Sequence, residues 1–361
     1  MSDLRIVQLT GSSAGGVGRH ARELAAGLAA ENRVILAGPA DVVDDVGNGV
    51  RTAHIDIADR PRTGDARAVA RIRSLARGAD VLHAHGLRAG ALAALALGTS
   101  GPGPRTALVV TLHNLPVGGA RVQAVAAGLE RLVAARADAV LGVSGDLVDR
   151  ARRLGARYAT RALVPAPPHT HRPLEEGRRR LLGIAPKHQM ILTVARLAPQ
   201  KGLDLLCDTA GLVADRVPGA RWLVAGDGPL RAGLTDQIVG EDLPVILLGR
   251  RDDVPDLLAA ADVVVSTSAW EGQPLNLQEA LAAGAPIVAT DVGGTREVTG
   301  DAARLVPFAD PDALATQIAQ VRGDEQVRTG MRASSLARAG ELPSAEDALV
   351  HMLEIYARVL G

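Results

Sequence analysis

Short β-rich apolar runs alternate with Ala/Leu-rich amphipathic stretches along the whole of this 361-residue chain. That alternation restricts the fold more than any other feature. Apolar runs this short and rich in β-formers read as strands. Strands separated by helical segments cannot be joined by hairpins, so they assemble as parallel sheets with helices on both sides. In the first half, strands are predicted at Ile6–Leu9, Val34–Ala37, Val81–Ala84, Leu108–Leu112, Val140–Val143 and Ala162–Val164, with another near Thr52–Ile55. Val17, Ala21, Leu24 and Leu28 fall on one face of a first helix, and helices near Arg67–Arg77, Arg88–Leu97, Arg121–Arg136 and Asp146–Leu154 fill the gaps.

Pro165, Pro167, Pro168 and Pro173 then interrupt the pattern, because proline can continue neither a central strand nor a helix. After this linker the alternation restarts. Strands are predicted at Ile191–Val194, Trp222–Ala225, Val245–Leu248, Val263–Ser266, Ile287–Ala289 and Arg304–Val306. Helices are predicted near Leu203–Asp215, Leu230–Val239, Val254–Ala260, Leu277–Ala283, Pro311–Val321 and Ala345–Leu360. The expected fold class is α/β: two doubly wound, Rossmann-like domains, residues 1–168 and 174–343, facing each other across a cleft. In such sheets ligands bind outside the carboxyl ends of the strands.

Composition agrees with two domains, since domains run to roughly 100–200 residues and 47% of the chain is hydrophobic. With only two Trp, two Tyr and one Phe, packing falls to Ala, Leu and Val. Forty basic and forty acidic side chains cancel, which argues against a general nucleic-acid binder. Cys207 is the lone cysteine and reads as a small buried hydrophobe. The N-terminus is a strand feeding a glycine loop, with no leader pattern, and the apolar stretches are too short to span a bilayer. A soluble cytoplasmic protein is expected.

The segment from Trp270 to Ala280 carries the most chemistry, with Glu271 and Glu279 eight positions apart across a loop-to-helix junction. Gly272 and Pro274 keep Glu271 on the loop. From Asn276 a helix is expected, with Asn276 as N-cap, Glu279 in its first turn and Gly284 as the stop. Two carboxylates beside free helical N–H groups suit a ligand with hydroxyls at both ends and negative charge between them, such as a sugar nucleotide. The competing reading of Glu279 is a capping box with Asn276.

Other loops repeat the theme. The glycine loop around Gly15, Gly16 and Gly18 precedes a helix, but it matches neither a dinucleotide fingerprint nor a P-loop. Arg196 and Lys201 bracket the loop after the first strand of the second half, where two cations and helix N–H groups can neutralise a diphosphate. Solvated charges are the alternative. His83, His85 and His113 lie at strand ends; a metal site is one reading of His83-x-His85, with sugar contacts or packing as the others. His169 and His171 belong to the linker, and Gly226 to Arg231 is expected to be a strand-to-helix turn with Pro229 at the first helical position. Asp310-Pro311-Asp312 reads as a helix cap rather than a metal-binding pair. The basic run Arg150, Arg152, Arg153, Arg157 and Arg161 reads as a solvated face, with a membrane or anionic-acceptor patch as the alternative.

Together, in this order, GGVGRH, DVLHAHG, TLHN, ARLAPQKGLD, GDGPLR, LLGRRDDV, EGQPLNLQE and VATDVGGTREV make the chain resemble the retaining glycosyltransferases of family 4, which have the GT-B fold. The resemblance covers nearly the whole chain. It implies that Arg196 and Lys201 hold the donor diphosphate, that Glu279 binds the ribose diol, and that Glu271 lies by the transferred sugar. It implies that His113 contacts the sugar near the reacting carbon, that Gly15 and Gly16 belong to a closing loop, and that Arg250–Asp252 meets the base. The helix start at Leu275, Asn276 and Leu277 completes the nucleotide side. The last helix, within residues 344–361, is expected to cross back to the first domain.

The function so implied is transfer of a hexosyl group, with retention, from a UDP- or GDP-sugar to a hydroxyl of a small-molecule or lipid-linked acceptor. No metal and no other cofactor are expected, and peripheral contact with the inner face of a membrane is compatible. Three rival readings stand beside it: a GT-B sugar-nucleotide epimerase, a His-x-His metallohydrolase and a non-catalytic sugar-nucleotide sensor.

Overall fold

The computed structural model describes residues 3–11, 16–44, 46–47, 49–58, 62–98, 105–116, 118–167, 182 and 189–361. The chain divides into two compact units, Met1–Val164 with Pro343–Gly361, and Pro165–Leu342.

In the first unit the described strands are β1 (Arg5–Thr10), β2 (Arg33–Gly38), β3 (Arg51–His54), β4 (Val81–His85), β5 (Ala107–Leu112), β6 (Ala139–Gly142) and β7 (Ala159–Arg161). They form one parallel sheet in the order β3-β2-β1-β4-β5-β6-β7. Every residue of β4 and β5 is buried; β5 shows no polar alternation, while β4 buries two histidines, His83 and His85. The order reverses between β1 and β4. Beyond their carboxyl ends start the helices Gly16–Leu28 and Leu87–Leu97, the position where doubly wound sheets take ligands.

The second unit repeats the plan with β8 (Met190–Val194), β9 (Arg221–Ala225), β10 (Val245–Gly249), β11 (Val263–Ser266), β12 (Ile287–Thr290) and β13 (Ala303–Val306). The described strands are again parallel, in the order β10-β9-β8-β11-β12-β13, so the reversal falls between β8 and β11. Trp222 is fully buried here; its Nε1 donates to Thr193 Oγ1 at 3.0 Å, and Thr193 Oγ1 donates to the Val265 carbonyl at 2.8 Å. The indole thus satisfies its one polar atom inside the core, and its truncation to Ala would cost about 3–5 kcal/mol. Cys207 is buried in the same core, and desolvation pushes its thiol up to about 12.

The C-terminal helix, Ala345–Leu360, belongs to the first unit. Ser344 and Asp347 form a reciprocal capping box at its start. Its buried residues Ala348, Met352, Ile355 and Tyr356 recur at helical spacing, so one stripe of the helix lies in the core.

The structure departs from the sequence reading in several places. The strand expected at Ala162–Val164 is Ala159–Arg161; as an edge strand paired only with β6 it needs no apolar run, so its Thr and Arg concealed it. A 17-residue helix, Glu325–Glu341, was not expected; only Ser335 is fully buried in it, so it shows no apolar stripe. Short helices at Ala40–Val43 and Thr295–Thr299 were likewise too brief to give a period. Pro229 precedes, rather than opens, the helix Arg231–Gly240. Asp310 caps Pro311–Gly323 as read, accepting from the Ala313 N–H at 2.9 Å. Of the linker Pro165–Pro173, residues from 168 onward lie outside the described residues, as do His169 and His171.

Candidate functional site

In the second unit the site residues gather at the carboxyl ends of β8 and β11, on either side of the reversal. After β8 the chain makes a single 3-10 turn, Pro199–Lys201, and enters the helix Leu203–Arg216 through Gly202 at φ 59°. A Cβ on Gly202 would lie 2.0 Å from the Thr267 carbonyl oxygen, so only glycine lets this loop press against the loop after β11. Three hydrogen bonds hold the contact. Thr267 Oγ1 donates to the Lys201 carbonyl at 2.9 Å, Gln200 Nε2 donates to the Trp270 carbonyl at 2.9 Å, and Ala269 N–H donates to the Gln200 carbonyl at 2.9 Å.

This clamp brings Lys201 Nζ to 2.5 Å from Glu271 Oε1. Ser268 Oγ donates to the same oxygen at 2.6 Å, and the Gly294 N–H donates to the Glu271 carbonyl at 2.9 Å. Gly293, at φ 49°, sits so close that a Cβ there would lie 2.0 Å from the Glu271 carbonyl oxygen. Glu271 is 5% exposed, so its charge is taken out of water and balanced by one ammonium and one hydroxyl. Arg196, by contrast, is an exposed side chain on the same loop, and among the described residues its guanidinium makes no ion pair with a carboxylate. Its loop is braced by a hydrogen bond from the Leu197 N–H to the Asp227 carbonyl at 3.0 Å.

The helix after Glu271 runs Leu275–Ala282, with Pro274 in the N-cap position. Asn276 is therefore inside the first turn, not the cap. Its Nδ2 donates to the Val194 carbonyl at 3.0 Å and ties the helix start to the end of β8. Glu279 consequently lies in the second turn, out of capping-box register, and is half-buried. The proline explains the shift: its fixed φ of −67° and absent N–H suit the residue just before a helix. Gly284, at φ 65°, follows the helix end, as expected of a stop. Leu277 is buried and its N–H donates to the Pro274 carbonyl at 3.2 Å, so the first-turn N–H groups without a backbone acceptor among the described residues are those of Leu275 and Asn276. Arg250 is exposed just past β10, while Arg251 forms a two-point pair with Asp253 at 2.8 and 2.7 Å.

The first unit holds a second cluster. A cavity of about 240 Å³ opens at the carboxyl ends of β1, β4 and β5, with Gly11, Val17, His85, Arg88, His113 and Asn114 in its wall. Gly15 lies outside the described residues; Gly16 opens the first helix. His20, His83, His85 and His113 are buried together, their neighbouring ring centroids 4.4–5.8 Å apart, and of the four His85 and His113 reach the cavity wall. His83 Nδ1 is 2.7 Å from Tyr356 Oη and its Nε2 is 2.7 Å from Thr111 Oγ1. His85 Nε2 is 2.8 Å from Gln8 Oε1, and its Nδ1 is 3.2 Å from His113 Nε2. Both ring nitrogens of His83 and of His85 are therefore engaged by protein groups. Among the described residues no group of three or more His, Cys, Asp or Glu is arranged to hold a metal ion.

Burial lowers the basicity of all four rings. Desolvation brings His20 to about 4; it brings His83 to about 3 with a further push from His20. His85 and His113 fall well below the ordinary imidazole range, through burial first and the neighbouring rings second. Near neutral pH the cluster is uncharged and acts through hydrogen bonds.

Sequence reasoning named Lys201 and Glu271 for separate tasks, and the structure joins them. It missed Ser268 and Gln200, which hold the pair, because one polar residue in a loop carries no local signal of its partner. It also missed Gln8 and Tyr356. Within the basic run Arg150 pairs with Glu130 at 2.7 Å, while Arg152, with Asp149 at 3.2 Å, and Arg157, with Asp138 at 3.5 Å, stay largely exposed, as on a solvated face. Among the described residues no helix is long and apolar enough to cross a membrane.

Comparison with known proteins bears on the family and the fold. Residues 188–324 match the family model described as glycosyl transferases group 1, and residues 15–167 match that described as a glycosyl transferase 4-like domain. Over 155 residues the chain is 29% identical to the UDP-Gal:alpha-D-GlcNAc-diphosphoundecaprenol alpha-1,3-galactosyltransferase of Escherichia coli, covering 40% of each. Over 152 residues it is 34% identical to an uncharacterised glycosyltransferase of Methanocaldococcus jannaschii, covering 40% of this chain and 39% of that one. These matches thus span less than half the length of either curated relative. In fold it resembles Anabaena HepE, solved in complex with UDP-glucose, at a TM-score of 0.80 and 22% identity over 98% of this chain and 100% of the other. The two sheets have the GT-B architecture, and the chain belongs to the group 1, family 4 glycosyltransferases.

Proposed function

We propose that this protein transfers a hexosyl group from a UDP- or GDP-sugar to an acceptor hydroxyl, with retention and without a metal. The observation that carries the reading is the Lys201–Glu271 pair at 2.5 Å at the reversal of the second sheet, its lysine on the loop that also carries the exposed Arg196. In the proposal the diphosphate meets Arg196, Lys201 and the N–H groups of Leu275 and Asn276. A positive field fixed in advance stabilises the charge that develops as the diphosphate departs. Glu279 accepts from the ribose diol, since a carboxylate can take two parallel hydrogen bonds. Attack and departure occur on the same face of the sugar, and Glu271 orients the reacting groups rather than acting as a nucleophile.

The second unit is read as the nucleotide-sugar unit and the first as the acceptor side, where His113 accepts or donates hydrogen bonds to sugar hydroxyls. Support for a nucleotide sugar comes from the HepE complex with UDP-glucose and from the UDP-galactose and diphosphoundecaprenol in the Escherichia coli relative's name. The acceptor is then a small molecule or a lipid-linked sugar, and the protein works in the cytoplasm or at the inner face of the membrane.

The test is a thermal-shift screen of UDP- and GDP-sugars, followed by product analysis with and without candidate acceptors. A matched donor stabilises the native state by mass action. Conversion of donor alone to an epimer would replace transfer with epimerisation, and binding without turnover under every acceptor tried would leave a sensor.

A further inference from the structure

We propose that Tyr356 on the C-terminal helix is a positioning residue that sets the tautomer of His113 through Gln8 and His85, so that His113 presents an unprotonated Nδ1 to its ligand. The proposal deepens the reading of His113 as a sugar-contacting residue and rests on it.

The protons can be followed one bond at a time. Gln8 Nε2 donates to Tyr356 Oη at 2.8 Å, which turns Gln8 Oε1 toward His85 Nε2, also at 2.8 Å. An amide oxygen only accepts, so the proton between them belongs to His85 Nε2. A neutral imidazole with a protonated Nε2 has a bare Nδ1, and His85 Nδ1 faces His113 Nε2 at 3.2 Å. The proton of that contact must come from His113 Nε2, which leaves His113 Nδ1 bare. Tyr356 completes the set: its own hydroxyl proton goes to His83 Nδ1 at 2.7 Å, and His83 Nε2 donates to Thr111 Oγ1 at 2.7 Å.

Each of these groups is buried. Gln8, His83, Thr111 and Tyr356 are 0% exposed and His85 is 2% exposed, so no bulk water can supply an alternative partner. Burial also keeps His83, His85 and His113 neutral, so each ring carries one proton, and the Gln8 amide, with its Nε2 toward Tyr356, sets the direction of the chain of donors. The hydroxyl of Tyr356 accepts from Gln8 and donates to His83. Without it the Gln8 amide is released to turn over. The turned amide donates to His85 Nε2, moves the His85 proton to Nδ1 and reverses His113, which then shows the ligand a donor. Only His85 and His113 of the cluster line the cavity, so the tautomer of His113 decides whether a ligand hydroxyl there finds an acceptor.

The experiment is long-range 1H–15N NMR of the imidazoles in the uniformly labelled full chain, without ligand. Wild type is expected to show His85 and His113 protonated on Nε2 alone. Tyr356→Phe keeps the ring and removes only the hydroxyl; Gln8→Met keeps the side-chain length and removes both bonds. Each is expected to give a mixed or reversed His113 tautomer, with the backbone amide spectrum retained. Sugar transfer should fall roughly tenfold or more in kcat with the nucleotide KM unchanged, the scale on which misorientation costs rate. His113 protonated on Nδ1 in wild type, or on Nε2 alone in both variants, overturns the proposal. Absence of transfer in wild type would instead overturn the functional reading and leave the tautomer result standing.

Discussion

Lys201 Nζ and Glu271 Oε1 lie 2.5 Å apart although 70 residues separate them in the chain. The pair joins the loop after β8 to the loop after β11, so the cation assigned to the diphosphate and the acid assigned to the sugar are one electrostatic unit. Removing either leaves a partly buried charge without its partner, which costs more than the pair contributes.

Lys201→Ala is therefore expected to lower both stability and turnover. The stability loss should be on the order of 1–3 kcal/mol, below the range for fully buried pairs, because water screens the partly exposed ammonium. Lys201→Met combined with Glu271→Gln should be more stable than the sum of the single losses. Urea denaturation of the four proteins in this cycle measures the coupling, and strict additivity would show that the pair does not interact.

Glu271→Gln and Glu279→Ala should separate. The first is expected to lower turnover while bare nucleotide still binds; the second should weaken nucleotide binding. Because Pro274 holds the N-cap position, Glu279→Ala should not shorten the helix that follows. Titration calorimetry with the bare nucleoside diphosphate reads both variants. Equal losses of affinity would contradict the assigned roles.

Gly202→Ala and Gly293→Ala test the backbone under the site. Both glycines have left-handed φ, 59° and 49°, and at each a Cβ would meet a carbonyl oxygen at 2.0 Å. The conformation alone costs an L-residue about 1–2 kcal/mol, and the clash forces the loops apart. Donor turnover should drop in both, more than the melting temperature does. Unchanged kinetics in either variant would mean that the loop contact is not needed for the site.

Acid should weaken the first unit. His20 falls to about 4 in the native state against 6.5 when unfolded, and His83 to about 3. The unfolded chain therefore binds more protons than the native one below about pH 6.5. Stability from these rings is complete above 6.5 and declines as pH falls toward 4 and then 3. Urea midpoints between pH 7 and 5 should fall, and His20→Leu should flatten that slope. An identical slope in the variant would clear His20 of the effect.

EDTA should leave transfer intact, whereas Arg196→Ala should reduce it by about an order of magnitude or more, as loss of a transition-state charge partner does. The comparison is made on initial rates with the donor found by screening. Activity lost in EDTA and restored by Mg²⁺ or Mn²⁺ would replace the arginine and lysine with a metal ion in the account.

Much of this protein is written in local patterns. Apolar runs without alternation, as in β5 and β11, determined two parallel sheets, and glycines and prolines such as Gly284 and Pro311 marked where helices stop and start. Loops at strand ends, ordered as in a family of glycosyltransferases, placed Arg196, Lys201, Glu271, Glu279 and His113 among the candidates. What periodicity cannot hold is the choice of partner. Lys201 on Glu271 and Asn276 on the Val194 carbonyl are set by which strand ends the sheet order makes neighbours, and Tyr356 on Gln8, across 348 residues, by where the last helix packs. The polar helix Glu325–Glu341 and the edge strand Ala159–Arg161 stayed unread for a related reason, since burial on one side or scarcely at all leaves little period to detect. Local sequence decides whether a residue faces the core, because that depends on spacing alone; the tertiary fold decides what each buried polar atom meets there, because that depends on every crossover between.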